Sequence, residues 1–570
     1  MAPPTVPSAP IRLFSERAAK FAKRPVANVK LKKASTAGLS VFRDYCANSS
    51  IHGFKYFVGS GRTRFEKIWW VAMCILSLYG CVSLIGTVYE KWRRDPVVVT
   101  FAEQPTPIYD IPFPAVTICP ITKVKSSVLN FTAVYQRVVK GFGNISDEEY
   151  DRFLAMLQVC DFAFNEFLDD QRYDNNLVHV LQDMAIPFEE MFLVCAWRNQ
   201  YVKCSDLFKP TLTEYGVCYT FNGLSADDML KKQEFHRDFD HVGETHSSVN
   251  WSMEEGYQSN TGMDTYPRRV VSSGANAGLV VLLKSDQNDM DYLCGNSFQG
   301  YQAQIHTPDQ CPQISIQSIR VPMEHELTIR VEPYMITTAP NVMAYSPSKR
   351  LCYYTHERYL RYFRIYTKRN CELECLANFT LHMCGCVQFS MPRAQGVSIC
   401  GIEKLDCCDA ADAILQEQGL GVTEDSSKMV LRACSCLPAC TFLQYKTEIS
   451  QARFDWRRLT STIHVFEKEL NHSELSSLLV YYKEGQFIAI KRSQLFGLND
   501  FIANCGGILG LCMGFSLLSI VEIFYFFTMK PLINFCMRRT RKKRKIASVQ
   551  PFVSGNTYSN AFNKIMRETA

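Results

Sequence analysis

Between residues 90 and 494 the sequence lacks a nucleophile elbow, a His-Glu-x-x-His zinc pair and a phosphate-binding glycine loop, which removes the commonest hydrolase and phosphoryl-transfer chemistries. No internal repeat occurs, so repeat arrays are excluded. Acidic residues are scarce at both ends: residues 1–67 hold 3 Asp/Glu against 13 Lys/Arg, and residues 530–570 hold 1 against 10. Charge is missing altogether from Ile68–Tyr89, a run of 22 residues, and nearly so from Phe501–Phe527, 27 residues whose single charge is Glu522. Each run reaches the roughly 20 residues that cross about 30 Å of hydrocarbon, whereas a signal-peptide core has about 7–15. The expectation is two spans and no cleaved leader.

What is present then sets the orientation. Both basic flanks obey the positive-inside bias, so the tails (1–67 and 530–570) face the cytoplasm and residues 90–494 lie outside. The chain carries +6 overall, which leaves −13 between the tails, an acidic outer face that enriches cations within a Debye length. Of 24 Cys, 18 fall between Cys119 and Cys440, as a disulfide framework in an oxidising space requires. Five Asn-x-Ser/Thr sequons, at Asn130, Asn144, Asn250, Asn378 and Asn471, fall in the same segment; Asn48 also matches but lies on the cytoplasmic side. Aromatic anchors flank the first span: Phe65, Trp69 and Trp70 at its entry, and Tyr79, Tyr89 and Trp92 toward its exit.

The outer segment reads as one mixed α/β domain. Helical spacing runs over Asp147–Asp183 and again over Leu360–Cys375, while Gly278–Leu283, Leu327–Val331, Thr441–Lys446, Leu478–Tyr482 and Phe487–Ile490 read as strands. Asp227–Pro267 is polar and is expected to be an exposed insertion; its His236, His241 and His246 lack tight metal-ligand spacing, so no metal site is expected. Arg538–Lys545, with 7 basic residues in 8, suits topology enforcement or anionic headgroups, and Cys536 lies where lipidation could occur.

The chemistry concentrates in the second span (495–529). Gly506, Gly507, Gly510 and Gly514 are followed by Ser516 and then by Glu522. Small residues at this spacing let helices approach closely. A carboxylate deep in a span points instead to a water-filled path, because intramembrane charge costs a few kcal/mol at least. Small residues also permit a narrow pore lined by backbone carbonyls.

At these residues the sequence resembles the degenerin/epithelial sodium channel family, which includes acid-sensing and insect pickpocket channels. Gly514-Phe515-Ser516 is similar to its Gly-x-Ser selectivity filter. The resemblance implies amiloride sensitivity at Gly510, a small residue restraining opening at Ala503, and an acidic inner pore at Glu522. His52-Gly53, within Ile51-His52-Gly53-Phe54-Lys55-Tyr56, resembles the family's gating motif before the first span. Phe113-Pro114-Ala115-Val116-Thr117-Ile118-Cys119 and Gly216-Val217-Cys218-Tyr219-Thr220-Phe221-Asn222 resemble its outer-domain blocks. The likeness covers roughly residues 50–530, and Val331-Glu332-Pro333 with the long insertion leans toward the pickpocket branch. Asn504 and Tyr525 stand where acid-sensing members carry acids, and Ser346–Leu351 lacks their aromatic before Cys352.

The resemblance further implies an α+β membrane protein, with two transmembrane helices and a hand-like ectodomain of palm, finger, thumb and knuckle, assembled as a homo- or heterotrimer in the plasma membrane. It implies sodium as the conducted ion, and no cofactor or nucleic acid as partner. Its disulfide pattern implies Cys119–Cys218, Cys195–Cys204, Cys352–Cys440, Cys371–Cys436, Cys375–Cys434 and Cys386–Cys400, with Cys384 joined to Cys407 or Cys408. The last five of these form a ladder along the thumb that stiffens it for transmitting motion. A Cys294–Cys311 bridge is expected among the remaining cysteines. Three alternatives stand beside this reading. An ectoenzyme on a single anchor explains the disulfides but not a second span carrying Glu522 and four Gly. An ATP-gated trimer shares the two spans but lacks the Gly-x-Ser block. A non-conducting or auxiliary subunit shares every feature but the current.

Overall fold

His325–Thr338 forms a 14-residue strand, β11, in which polar and apolar residues alternate over Glu326–Pro333, with Leu327, Ile329, Val331 and Pro333 buried and Glu326 and Glu332 exposed. It pairs antiparallel with β12 (Phe442–Arg453) and parallel with β13 (Ser473–Tyr482) and β15 (Ile490–Gln494). Beyond β13 come β8 (Leu279–Asp286), β4 (Phe192–Trp197) and β5 (Gln200–Val202); β1 (Val97–Phe101) lies beside β15, completing an eight-stranded sheet. A five-stranded sheet runs β10 (Ile319–Pro322), β9 (Gly300–His306), β3 (Ala115–Pro120), β7 (Gly216–Phe221) and β6 (Phe208–Thr213). A two-stranded ribbon pairs β2 (Thr106–Pro107) with β14 (Gln486–Phe487).

This computed structural model describes residues 39–59, 61–94, 97–141, 144–160, 176–236, 251–259, 261–295, 299–418, 434–463, 470, 472–495 and 497–547. They fall in two units, residues 95–495 and a second made of the segments before 95 and after 495.

Within residues 95–495 the core explains the two outer-domain sequence blocks. All six residues of β3 are buried, because β9 and β7 flank it and both of its faces are covered. Phe113 meets Trp197, Tyr482 and Phe221 edge-to-face at 4.9, 5.4 and 6.0 Å, joining the two sheets. The Tyr445 and Tyr482 hydroxyls both donate to the Pro112 carbonyl, at 2.7 and 2.6 Å. Asn222, at φ 58°, donates to the Phe113 carbonyl (2.6 Å) and accepts from the Arg268 amide (2.6 Å). These blocks hold the core together rather than carry chemistry.

Several expectations change. Leu360–Cys375 is helical only from Lys368, where Thr367 caps a helix running to Cys384 by accepting from the Asn370 amide (3.1 Å). Upstream, Leu360, Tyr362, Phe363 and Tyr366 fill a separate apolar cluster, and the Arg361 and Tyr362 amides bond to Glu374 at 2.8 and 2.9 Å. Tertiary packing there overrides local spacing. The Asp147–Asp183 segment forms helices Asp147–Leu157 and Leu177–Met184, with 161–175 outside the described residues. Phe487–Ile490 is not one strand, since the chain changes sheets at Ile488 and Ala489. The Asp227–Pro267 insertion is not wholly exposed: Leu230, Phe235 and Trp251 are buried in the cluster with Tyr362. His236 is half-buried, while His241 and His246 lie outside the described residues. Among the described residues no group of three or more His, Cys, Asp or Glu could hold a metal.

The structure joins Cys119–Cys218, Cys195–Cys204, Cys352–Cys440, Cys371–Cys436, Cys375–Cys434, Cys386–Cys400 and Cys384–Cys407. The expected Cys294–Cys311 bridge is replaced by Cys160–Cys294, with Cα atoms 4.7 Å apart. Cys160, just past the Asp147–Leu157 helix, is brought against Cys294 by the packing of the apolar cluster that holds Phe153, Leu157, Leu181 and Cys294. Cys311 instead sits at the base of the Lys368–Cys384 helix, its amide donating to Asn370 at 3.1 Å. Burial pushes its thiol up to about 12, so it alkylates slowly at neutral pH. Non-reducing peptide mapping is expected to recover a Cys160–Cys294 peptide with Cys311 as a thiol; a Cys294–Cys311 peptide would contradict this.

Candidate ion pathway

Among the described residues two helices are long and apolar enough to cross a membrane, Arg64–Arg94 and the stretch Leu517–Thr540, with the shorter apolar helix Leu498–Met513 before the latter. The second run is therefore not one helix, as its composition suggests. Leu498–Met513 begins where the Asp500 carboxylate accepts from the Gly497 amide (2.9 Å) and ends at Gly514, which takes φ +66°. The Gly514 amide donates to the Gly510 carbonyl (2.9 Å) and the Phe515 amide to the Leu509 carbonyl (3.3 Å), a left-handed glycine cap. Helix resumes at Leu517: the Ser516 amide donates to Ser519 Oγ (3.2 Å), and the Ser519 amide to the Ser516 carbonyl (3.0 Å). Gly514-Phe515-Ser516 is thus a non-helical break inside an apolar run. Such backbone is tolerated at membrane depth only where protein or water covers it.

Protein covers one side. The His52 amide donates to the Met513 carbonyl (3.0 Å), satisfying the end of the broken helix. A Cβ on Gly514 would lie 1.7 Å from His52 Nδ1, so glycine is required by contact as well as by φ. Gly53, at φ +94°, passes so close to the first span that a Cβ there would fall 2.5 Å from Cys74 Sγ. The His-Gly and Gly-x-Ser motifs, far apart in sequence, are in direct contact.

Around this contact stand residues that no motif singled out. Ser50 donates its amide to Glu522 Oε2 (3.0 Å) and shares a hydroxyl contact of 2.9 Å with buried Ser519. Glu522 is accordingly half-buried and anchors the segment before His52, a role beyond that of a pore-facing charge. Asp44, on a helix over 39–48, pairs with Lys530. Tyr45 packs on Phe526 (5.7 Å) and Phe54 (6.2 Å), with Met513 and Phe515 against the same cluster. Ser77 of the first span donates to the Cys512 carbonyl (2.6 Å), and Trp92 stacks on Phe501 at 5.2 Å. The one sequence signal for this group was Ser519, a polar residue three places after Ser516 in an apolar run.

Farther along the Leu498–Met513 helix, one face has no packing partner among the described residues. Ala503, Asn504, Gly506, Gly507 and Gly510 are exposed, and a Cβ on Gly506 or Gly507 would meet nothing within 4 Å. The Asn504 amide group donates to the Asp500 carbonyl (2.8 Å), and Tyr525 is exposed. Within residues 95–495, Asn130, Asn144 and Asn378 are exposed, as sugar attachment requires, and Asn250 and Asn471 lie outside the described residues.

A family model described as amiloride-sensitive sodium channel matches residues 45–526, ending at Tyr45 and Phe526, which pack together. The chain belongs to the amiloride-sensitive sodium channel family. Pickpocket protein 28 of Drosophila melanogaster is 29% identical over 511 residues, covering 88% of this chain and 80% of that one. The sodium channel protein Nach of Drosophila melanogaster is 23% identical over 505 residues, 85% of this chain and 86% of its own length. The acid-sensing ion channel 1C of Danio rerio is 22% identical over 540 residues, 90% and 88% of the two chains. The family is one of ion channels rather than enzymes, which accords with the missing catalytic motifs. Within the amiloride-sensitive sodium channel family this chain pairs its motif residues as Gly514 with His52 and Glu522 with Ser50.

Proposed function

We propose that the chain is a subunit of a sodium-selective, amiloride-sensitive cation channel of the plasma membrane, trimeric, with both termini cytoplasmic and residues 90–494 outside. The observation that carries this is the non-helical Gly514-Phe515-Ser516 break, held on one side by His52 and placed inside an otherwise apolar run. Three copies of that break around an axis would present backbone and Ser516 hydroxyl oxygens to a partly dehydrated sodium ion. Gly510 is the amiloride position, Ala503 the gate-restraining residue, and Glu522 the inner acidic residue that also holds Ser50. The unoccupied glycine face of Leu498–Met513 suits an axis lined by small residues or a neighbouring subunit. The palm, finger, thumb and knuckle receive an extracellular stimulus, with the disulfides stiffening the thumb. The relatives named as sodium channels support sodium as the ion.

Recording from oocytes expressing the chain tests this reading. An inward current that requires external sodium and is blocked by amiloride is expected. Current on co-expression with a related subunit that is unchanged in amiloride block and ion preference when Gly510 or Ser516 of this chain is replaced would assign an auxiliary role instead, and no current alone or with a related subunit would count against conduction.

A further inference from the structure

The cysteine-rich end of the Lys368–Cys384 helix holds one more sulfur than its bonds use. That helix stops at Gly385, at φ +78°, and Cys386 follows at once. A second helix, Leu405–Gln418, carries the adjacent pair Cys407 and Cys408. Successive side chains on a helix point about 100° apart, so the two thiols face different partners. Cys407 turns to Cys384 and bonds it, whereas Cys408 turns inward together with Ala411, one turn on, and both of these are buried. The inward turn sets the Cys408 sulfur 3.4 Å from Cys400 Sγ, which is already bonded to Cys386. Cys386, Cys400 and Cys408 form one buried cluster with Cys384 packed against it.

A thiol in contact with a disulfide is the reactant pair of thiol–disulfide exchange. Cys400 is held by more than its bond to Cys386. Its amide donates to the Val387 carbonyl (2.8 Å), the Val387 amide donates to the Ser398 carbonyl (3.2 Å), and the Cys400 carbonyl accepts from Gln158 Nε2 (3.2 Å). The Cys400 sulfur therefore stays beside Cys408 when the bond to Cys386 is open. Protonation restrains the reaction. Burial, with Asp409 beside it, pushes the Cys408 thiol up to about 11, so the attacking thiolate is scarce at neutral pH. Scarcity of thiolate slows the exchange without setting the balance between the two bonds.

We propose that Cys400 has two alternative disulfide partners in the folded chain, Cys386 and Cys408, exchanged by direct attack of the Cys408 thiolate on Cys400 Sγ. The Cys400–Cys408 bond forms as the Cys386–Cys400 bond breaks, the electron pair leaves on Cys386 Sγ, and that sulfur takes up the proton that Cys408 gave away. The number of disulfides is unchanged, and no oxidant or reductant is consumed. What changes is the tie. Cys386–Cys400 closes the loop after the Lys368–Cys384 helix on itself, whereas Cys400–Cys408 fastens that loop to the Leu405–Gln418 helix. The inference stands apart from the channel reading and does not depend on it.

The test uses the purified full-length chain. Free thiols are blocked with N-ethylmaleimide in denaturant after an acid quench, the disulfides are then reduced and capped with iodoacetamide, and the label on each cysteine is read by peptide mass spectrometry. The freshly prepared chain is expected to carry maleimide on Cys408. After a day at pH 9, where more of that thiol is ionised, at least about a tenth of the chains should carry it on Cys386 instead. Cys408→Ser held in the same way should show none on Cys386. In Cys386→Ser, Cys400 and Cys408 should both carry iodoacetamide, having bonded to each other. Maleimide confined to Cys408 in the unmutated chain throughout overturns the proposal, and so does Cys386 labelling that persists in Cys408→Ser. A Cys386→Ser chain that keeps its Cys384–Cys407 bond yet carries maleimide on both Cys400 and Cys408 overturns it as well.

Discussion

Gly514→Ala is expected to cut sodium current sharply while leaving surface delivery intact. A left-handed conformation costs a non-glycine residue about 1–2 kcal/mol, and here the added Cβ would also fall 1.7 Å from His52 Nδ1. Neither strain can be relieved without moving the break or ejecting the His52-Gly53 turn, whose amide satisfies the Met513 carbonyl. Current per surface-biotinylated channel is expected to fall at least about tenfold, the factor that 1.4 kcal/mol represents. The double variant His52→Ala/Gly514→Ala separates the two causes. Removing the ring relieves the contact but not the φ strain, so recovery should be partial. Wild-type current from Gly514→Ala would show that the break is not the conducting constriction.

The second large effect has the opposite sign. Ala503→Phe is expected to give a standing, amiloride-blocked sodium current without any stimulus. Ala503 is exposed on the Leu498–Met513 helix, four residues before Gly507, on a part of the helix where the protomer offers no packing partner. In a trimer closed around these helices a phenyl ring there must be accommodated three times. A destabilisation of the closed state by a few kcal/mol raises the open fraction by about tenfold or more when opening is rare. Holding current before and after amiloride reads this directly. Unchanged holding current would place Ala503 away from the gate.

The sequence disclosed some of this architecture by simple rules. The charge-free run Ile68–Tyr89 falls inside the helix Arg64–Arg94, whereas Phe501–Phe527 straddles the break at Gly514 and the second membrane-length stretch is Leu517–Thr540; alternation located parts of β11 and β13. In the sequence Gly514 and Ser516 stand only as small residues and as part of a family motif; the helix stop at Gly514 and the restart at Leu517 appear only in the structure. Other features left no local trace. The His52–Gly514 contact joins residues more than four hundred apart and obeys no periodicity. Ser50 and Ser519 are unremarkable until Glu522 lies beside them. Cys160 and Cys294 close a loop with a sequence separation of 134, whose ends are set by helix packing rather than by spacing. Leu360–Cys375 reads as helical by its spacing, yet Leu360, Tyr362, Phe363 and Tyr366 serve a cluster with Leu224, Met229, Leu230, Phe235 and Trp251.

The central claim is that sodium passes through the Gly514-Phe515-Ser516 break. Its most direct test is the reversal potential of the Ala503→Phe current as external sodium is exchanged for potassium, with and without a second substitution, Ser516→Cys. The account predicts a sodium-preferring reversal potential that shifts toward non-selectivity when Ser516 is replaced. A reversal potential indifferent to Ser516, or an Ala503→Phe current that does not follow sodium, would contradict it.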